Sequence, residues 1–196
     1  GGVIVPPKGY FEKIQAVLKK YDILIVADEV ICGFGRTGNM WGTETFGLKP
    51  DILSCAKALS SAYLPIAAVM VSEDVYRAMV KQSETHGAFA HGYTYSGHPV
   101  PAAVALRTIE LMEERNIIDH VQIVAPIFKQ RFEALADHEL VGEVRVSGLV
   151  GAVELVADKA TKRSFAPSCA VGPTGYGLIQ EEGLISRAVA GDNLAL

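Results

Sequence analysis

Two short apolar segments, each running into a charged residue, constrain the fold of this chain most. The run Ile23–Ala27 ends at Asp28, and the run Ile52–Ala56 ends at Lys57. Continuous apolar runs of this length are typical of parallel strands that are buried on both faces. In an open α/β sheet, ligands bind beyond the carboxyl ends of such strands. The two runs therefore predict an α/β fold with one acid and one amine at strand ends that face a common site.

The remaining pattern predicts a larger part followed by a smaller one. In the larger part we expect helices over about residues 10–20, 72–80 and 99–114, a third strand over 66–71, and a glycine-rich loop over 33–47. The smaller part predicts a helix over 118–136, antiparallel strands over 141–146 and 149–156, a helix over 176–182 and a strand over 184–189. This order predicts an α/β part over residues 1–115 and a small α+β domain over 116–196.

Composition excludes several classes of function. The net charge of −4 argues against a nucleic-acid partner, and no apolar run approaches the roughly 18 residues of a membrane span. Three widely spaced cysteines without a CxxC pair favour a reducing compartment, so the predicted location is cytoplasmic. The five histidines lack zinc-ligand spacing, and no metal site is predicted.

Asp28 and Lys57 each allow an ordinary and a chemical interpretation. An acid at a strand end often caps a turn, and a lysine is most often a surface residue. Together, however, an acid and an amine suit pyridoxal phosphate, whose ring nitrogen pairs with an acid and whose aldehyde bonds a lysine. The small residues that follow Lys57, among them Ala58 and Ser60, leave room for a bulky ligand.

Two further residues are candidates for anion binding. Thr94 lies in a polar loop that opens a helix near Pro99, where hydroxyl and N–H groups suit a phosphate, although ordinary turn chemistry explains it equally. Arg187 lies within the apolar run 184–189, and a partly buried arginine needs an anion. That anion is either a structural acid or a substrate carboxylate.

Three motifs, taken in order, resemble the class III, ω-type aminotransferases. They are Asp28-Glu29-Val30 leading to Gly33-Phe34-Gly35-Arg36-Thr37-Gly38, Ala56-Lys57 with Leu64-Pro65 beyond it, and His91-Gly92-Tyr93-Thr94-Tyr95-Ser96-Gly97-His98-Pro99. The resemblance covers essentially the whole chain and is strongest to the amine– or ω-amino-acid–pyruvate transaminase branch.

The resemblance implies fold type I, pyridoxal phosphate, and a homodimer with shared active sites at the subunit interface. The chain then holds part of the large α/β/α domain and a truncated small domain. Lys57 resembles the Schiff-base lysine, Asp28 the partner of the pyridine nitrogen, and Val30 the residue packed on the ring. Thr94 resembles the phosphate ligand of the neighbouring subunit's site, and Arg187 the arginine that binds a substrate carboxylate.

The resemblance also implies a reaction and its alternatives. An amine or ω-amino acid gives its nitrogen to the cofactor, and pyruvate or a similar 2-oxo acid collects it. Ile31 stands where relatives acting on γ-aminobutyrate carry glutamine, which favours the pyruvate branch. A class III aminomutase is an alternative, against which the Gly35–Gly38 stretch argues. Family members are more than twice as long, so the chain resembles a C-terminal-half fragment, expected to be inactive alone, and a non-catalytic remnant is the other alternative.

Overall fold

The computed structural model describes residues 2–189 and 192–196, and it divides into two compact units. One unit is Lys8–Ile118, and the other joins Gly1–Pro7 to Asp119–Leu196. The N-terminal residues join the second unit because the Arg145 Nε atom donates a 2.7 Å hydrogen bond to the carbonyl oxygen of Gly2. The assignment of residues 1–115 and 116–196 to two domains of a longer enzyme stays a prediction.

The first unit is mixed α/β. In chain order it contains α1 (Tyr10–Lys20), β1 (Val26–Asp28), α2 (Gly42–Thr45), β2 (Ile52–Cys55), a 3₁₀ helix (Lys57–Ser60), β3 (Ala68–Val71), α3 (Glu73–His86) and α4 (Pro99–Glu114). Its sheet has the order β1-β2-β3, with β1 parallel to β2 and β3 antiparallel to β2. A helix, α5 (Ile117–Glu133), begins at the end of this unit and continues into the second.

The prediction that the first apolar run is a strand buried on both faces was wrong in this chain. The strand begins only at Val26, because the chain first turns out of α1 with the backbone N–H of Ile23 donating to the carbonyl oxygen of Leu18. In β1, Ala27 is buried while Val26 is 64% exposed. Within the described residues, the core packs only on the face of β1 to which Ala27 points, so the strand is buried on one face and not on both.

That core lies on the side of the sheet to which Ala27, Leu53 and Cys55 point. Leu59 of the 3₁₀ helix and Ala105 of α4 pack into the same cluster. Each fully buried aliphatic side chain of this kind stabilises the fold by about 1.5–3 kcal/mol. Leu59, two positions after Lys57, therefore anchors the segment that begins at Lys57 in the core.

Three further predictions concern the bounds of the elements. Ser72 caps α3 through a 3.4 Å bond from the N–H of Val75, as predicted, but the helix continues past residue 80 to His86. The predicted start of α4 at Pro99 is confirmed. The glycine-rich loop contains the one-turn helix α2, which its glycine content concealed.

The second unit is α+β. After α5 it contains a 3₁₀ helix (Ala134–Asp137), β4 (Val141–Ser147), β5 (Val150–Leu155), a 3₁₀ helix (Pro167–Cys169), α6 (Val171–Glu181), β6 (Arg187–Val189) and β7 (Asn193–Ala195). The antiparallel pairing of β4 with β5 is confirmed, within a sheet of order β4-β5-β7-β6. Phe132, Val141 and Val153 form its core. No helix within residues 2–189 and 192–196 has the length and apolar character to cross a membrane.

Candidate functional site

Asp28 ends β1 and pairs in register with Ser54 of β2. Its Oδ1 atom accepts a 3.0 Å hydrogen bond from the backbone N–H of Val30. This bond caps a local turn, which is the ordinary role that the sequence allowed for Asp28. The side chain is exposed, and Oδ2 makes no hydrogen bond within residues 2–189 and 192–196. One oxygen therefore serves the turn, while the other is able to accept from a ligand.

Lys57 lies at the same edge of the sheet. It begins the 3₁₀ helix two residues after β2 ends, and β1 and β2 are parallel neighbours, which lie about 4.8 Å apart. The side chain is exposed, and no hydrogen bond or ion pair joins its ammonium group to the described part of the chain. The topology thus brings the predicted acid and the predicted amine to the carboxyl ends of two adjacent strands.

The backbone around Lys57 is strained. Lys57, Ser61 and Ala62 have φ values of +48°, +49° and +60°, in the left-handed region that non-glycine residues rarely adopt. Such conformations cost on the order of 1–3 kcal/mol each and concentrate at functional sites, where the surrounding structure enforces them. The Lys57–Ala62 segment therefore has a conformation that local preference alone would not produce.

A hydroxyl and a closed loop enforce this conformation. Ser60 is 2% exposed, and its Oγ donates a 2.7 Å hydrogen bond to the carbonyl oxygen of Leu64. The N–H of Ala62 donates to the carbonyl oxygen of Lys57 at 3.3 Å, and that of Tyr63 donates to Ser60 at 3.0 Å. The small residues that were predicted to leave room for a ligand thus also form the turn that presents the lysine.

Val30 follows Asp28 in the turn, and its side chain is half-buried. Ile31, which by the family resemblance favours the pyruvate branch, is 51% exposed. Both residues lie at the same edge of the sheet as Asp28, since the chain leaves β1 there. The packing of Val30 on a cofactor ring stays a prediction.

Thr94 lies in an exposed turn before α4. The N–H of Tyr93 donates to the Ser96 Oγ at 3.0 Å, and the N–H of Ser96 returns a 2.9 Å bond to the carbonyl oxygen of Tyr93. These bonds are the ordinary turn chemistry that the sequence allowed. Within the described residues, no hydrogen bond connects Thr94 to Asp28 or Lys57.

Arg187 is the first residue of β6 and lies opposite Ala195 of β7. Its side chain is exposed, and no ion pair joins it to an acid among residues 2–189 and 192–196. The partly buried position expected from the apolar run was wrong, because β6 begins only at Arg187 and the preceding residues Leu184 and Ile185 are themselves exposed. The structural acid proposed as its ordinary partner is not found within the described chain.

Glu29 is a site residue that the sequence analysis missed. It is 2% exposed, and its carboxylate accepts hydrogen bonds from the backbone N–H groups of Gly42, at 2.9 Å, and Thr43, at 2.6 Å. The available signal was an acid that directly follows Asp28, with a glycine-threonine pair 13 and 14 positions downstream. This spacing alone does not identify the contact, because only folding brings Gly42 and Thr43 to Glu29.

Cys32 lies close to both acids. Burial raises the pKa of its thiol above the usual 9.0, the Glu29 and Asp28 carboxylates raise it further, and Arg36 opposes them. A thiol with a raised pKa stays protonated at neutral pH and is a poor nucleophile. Cys32 is therefore a weaker candidate for chemistry at this edge than the acid and the amine.

The family model for "Aminotransferase class-III" matches residues 1–193 of this chain. The chain is 49% identical over its whole length to the chloroplastic gamma aminobutyrate transaminase 3 of Solanum lycopersicum, covering 38% of that protein. It is 50% identical, again over its whole length, to the probable mitochondrial gamma-aminobutyrate transaminase 3 of Oryza sativa subsp. japonica, also covering 38%.

Solved structures agree with the family match. An omega transaminase from Pseudomonas jessenii in complex with PMP superposes with a TM-score of 0.95 at 48% identity, and this chain covers 43% of it. A transaminase with L-ala superposes with a TM-score of 0.95 at 51% identity, with 46% covered. The chain thus spans about 40% of the length of its relatives, with a fold that the solved structures identify as fold type I.

Proposed function

The chain belongs to the class III aminotransferase family, and from this premise we propose that it carries the catalytic lysine of an aminotransferase. The proposed reaction moves an amino group from an amine or ω-amino acid to pyruvate or a similar 2-oxo acid. One observation carries the proposal, namely that β1 and β2 are adjacent and parallel with Asp28 and Lys57 at their carboxyl ends.

The donor set at this edge fits the family's cofactor. Class III aminotransferases depend on pyridoxal phosphate, which supplies an electron sink for a negative charge that develops at a substrate carbon. An exposed amine and a carboxylate with one uncommitted oxygen are the two groups that its aldehyde and ring nitrogen require. Lys57 and Asp28 would therefore hold these two ends, with Val30 beside the ring.

Each residue has a defined task in this proposal. The Asp28 carboxylate would hold a proton on the ring nitrogen, because a nearby negative charge raises the pKa of that nitrogen. The Lys57 Nζ atom would carry a proton away from the substrate carbon and later return one. The strained backbone at Lys57 supports this task, because it fixes the main-chain position from which the lysine side chain extends.

Thr94 and Arg187 belong to the proposal through the family resemblance. Thr94 would bind the phosphate group of the neighbouring subunit's cofactor in a homodimer, and its exposed position before α4 is compatible with that role. Arg187 would bind the carboxylate of the 2-oxo acid. Its exposed guanidinium, without an acidic partner in the described chain, supports such a role.

The amino-group donor is proposed only as a class of compound, an amine or an ω-amino acid. Several relatives are named gamma-aminobutyrate transaminases, whereas Ile31 favours amine donors that transfer to pyruvate. Cytoplasmic location also stays a prediction, since the named relatives include chloroplastic and mitochondrial proteins.

The test is a transfer assay in the full chain, by which we mean a protein of the relatives' length that contains these 196 residues. With pyridoxal phosphate, pyruvate, and γ-aminobutyrate or 1-phenylethylamine as donor, we expect alanine to form. Lys57→Ala should lower kcat by at least about 10⁴-fold, since a covalent step and a proton carrier are lost together. Lys49→Ala, which removes another exposed lysine, serves as the matched control and should retain activity. Alanine formation that survives Lys57→Ala contradicts the proposal, and cofactor binding without transfer to pyruvate favours one of the two alternatives, an aminomutase or a non-catalytic remnant.

A further inference from the structure

The carboxylate of Glu29 is buried although the residue immediately before it, Asp28, is exposed. Removing a carboxylate from water is costly unless hydrogen bonds compensate. Here two backbone N–H groups do so, from Gly42 and Thr43 at 2.9 and 2.6 Å. Charge-assisted bonds of this kind are roughly twice as strong as neutral ones.

The main chain of Glu29 connects two further segments. Its N–H donates a 2.9 Å bond to the carbonyl oxygen of Ser54 on β2, and its own carbonyl oxygen accepts a 2.9 Å bond from the N–H of Gly33. Glu29 therefore joins the end of β1 and the end of β2 to the beginning of the glycine-rich loop and to α2 within that loop. These connections lie one peptide bond from Asp28.

The contact between Glu29 and the loop leaves no spare room. A Cβ atom added to Gly42 would lie 3.2 Å from the Glu29 Oε2 atom and 2.7 Å from the Cys32 Cβ atom. Because the loop backbone packs directly on the carboxylate, a shift of Glu29 must move the loop, the strand end or both.

We propose that Glu29 is a positioning residue for Asp28, which fixes the Asp28 carboxylate where it pairs with the ring nitrogen of the cofactor. The inference rests on the proposed function, because it assigns Asp28 that partner. Two anchors hold Asp28 and the residue that follows it. Its own Oδ1 atom is held by the N–H of Val30, and the following residue is held by the N–H groups of Gly42 and Thr43.

The competing explanation is that Glu29 only stabilises the loop. Glu44 distinguishes the two explanations, because its Oε2 atom accepts a 2.9 Å bond from the N–H of Trp41, next to Gly42. It is an acid on the same turn with the same type of bond, yet it is exposed and lies on the loop rather than on the strand end that carries Asp28. Glu44→Gln is therefore the matched control for Glu29→Gln.

Glutamine cannot replace Glu29 fully. Its amide has one acceptor oxygen for two N–H donors, and its NH₂ group would face one of them. Glu29→Asp keeps the charge but withdraws the carboxylate by one methylene, so it serves as a second variant if Glu29→Gln does not fold. Both are made in the full chain and measured with excess cofactor.

The experiment compares pyridoxal phosphate with its N-methyl derivative, whose ring nitrogen carries a positive charge without help from an acid. In the wild type, the methyl group displaces the Asp28 bond and lowers kcat. With Glu29→Gln we expect kcat on pyridoxal phosphate to fall by about tenfold or more, with a KM for pyruvate close to that of the wild type. The ratio of kcat with the derivative to kcat with pyridoxal phosphate should rise by about tenfold.

The outcomes separate the claims. An unchanged ratio in both Glu29 variants, even with a lower Tm, means that Glu29 holds the loop alone and overturns the proposal. An equal rise in the ratio for Glu44→Gln overturns it as well, because the effect would then belong to the loop. A wild-type full chain that neither binds pyridoxal phosphate nor transfers nitrogen refutes the proposed function itself.

Discussion

At the scale of single residues, the site is defined by conformation as much as by residue type. Lys57 is one of three residues with positive φ between positions 57 and 62, and the buried hydroxyl of Ser60 holds that segment closed. Left-handed conformations of non-glycine residues can be tested individually, because replacement by glycine removes the steric penalty.

Ala62→Gly should raise the free energy of unfolding by about 0.5–1 kcal/mol, since relief at φ +60° exceeds the added entropy of the unfolded chain. Ala103→Gly, at an exposed position within α4, is the matched control and should lower it by about 1 kcal/mol. Urea denaturation of the full chain measures both. Equal destabilisation by the two substitutions would show that Ala62 is not strained.

The three cysteines should react with iodoacetamide in the order Cys169, Cys32, Cys55. Cys169 is exposed, Cys32 is half-buried and Cys55 is 3% exposed. Burial raises the pKa of both Cys32 and Cys55 above 9.0. At pH 8 their thiolate fractions are therefore lower than that of an ordinary thiol, and these fractions increase as the pH is raised. Peptide mass spectrometry at pH 7, 8 and 9 gives the order. Preferential labelling of Cys55 at pH 7 would contradict the packing described for β2.

At the scale of elements, the apolar runs predicted β1 and β2 and placed a charged residue after each. The Ser72 cap and Pro99 likewise located the start of α3 and of α4. The sequence failed where glycine has a packing role that propensity cannot express. α6 begins at Val171 rather than 176 although it contains Gly172 and Gly175, and a Cβ on Gly175 would lie 3.1 Å from Leu194 of β7, a strand that was not predicted.

Gly142→Ala should lower the free energy of unfolding by about 1–3 kcal/mol, because the new methyl group would lie 2.5 Å from the Cγ1 atom of the fully buried Val156. Gly177→Ala is the matched control. It lies in α6 with nothing within 4 Å of the added methyl group, so it should stabilise by about 0.5–1 kcal/mol. Thermal denaturation of the two variants should shift Tm in opposite directions. A loss of stability for both would contradict the close contact described at β4.

At the scale of the whole molecule, the family and the fold were predictable because three motifs occur in order over the chain. Glu29 was not predictable, since its role depends on Gly42 and Thr43, which only folding brings to it. The exposure of Arg187 was also beyond the pattern, because an apolar run does not reveal where a short edge strand begins.

The 196 residues span about 40% of the length of their relatives, and we predict that this segment alone does not transfer nitrogen from an amine to pyruvate. The resemblance implies that further groups holding the cofactor phosphate and ring lie outside the three motifs found here. A transfer assay on the isolated segment, beside the full chain at equal concentration, measures this. Turnover by the segment within about tenfold of the full chain would contradict it.

The central claim is that Lys57 is the amine that binds pyridoxal phosphate. Its most direct test is reduction of the cofactor-loaded full chain with borohydride, which makes a covalent lysine–cofactor bond permanent, followed by peptide mass spectrometry. The account predicts the added cofactor mass on the peptide that contains Lys57, with Lys49 unlabelled and the label absent in Lys57→Ala. A label on another lysine, or retention of the label in Lys57→Ala, would contradict it.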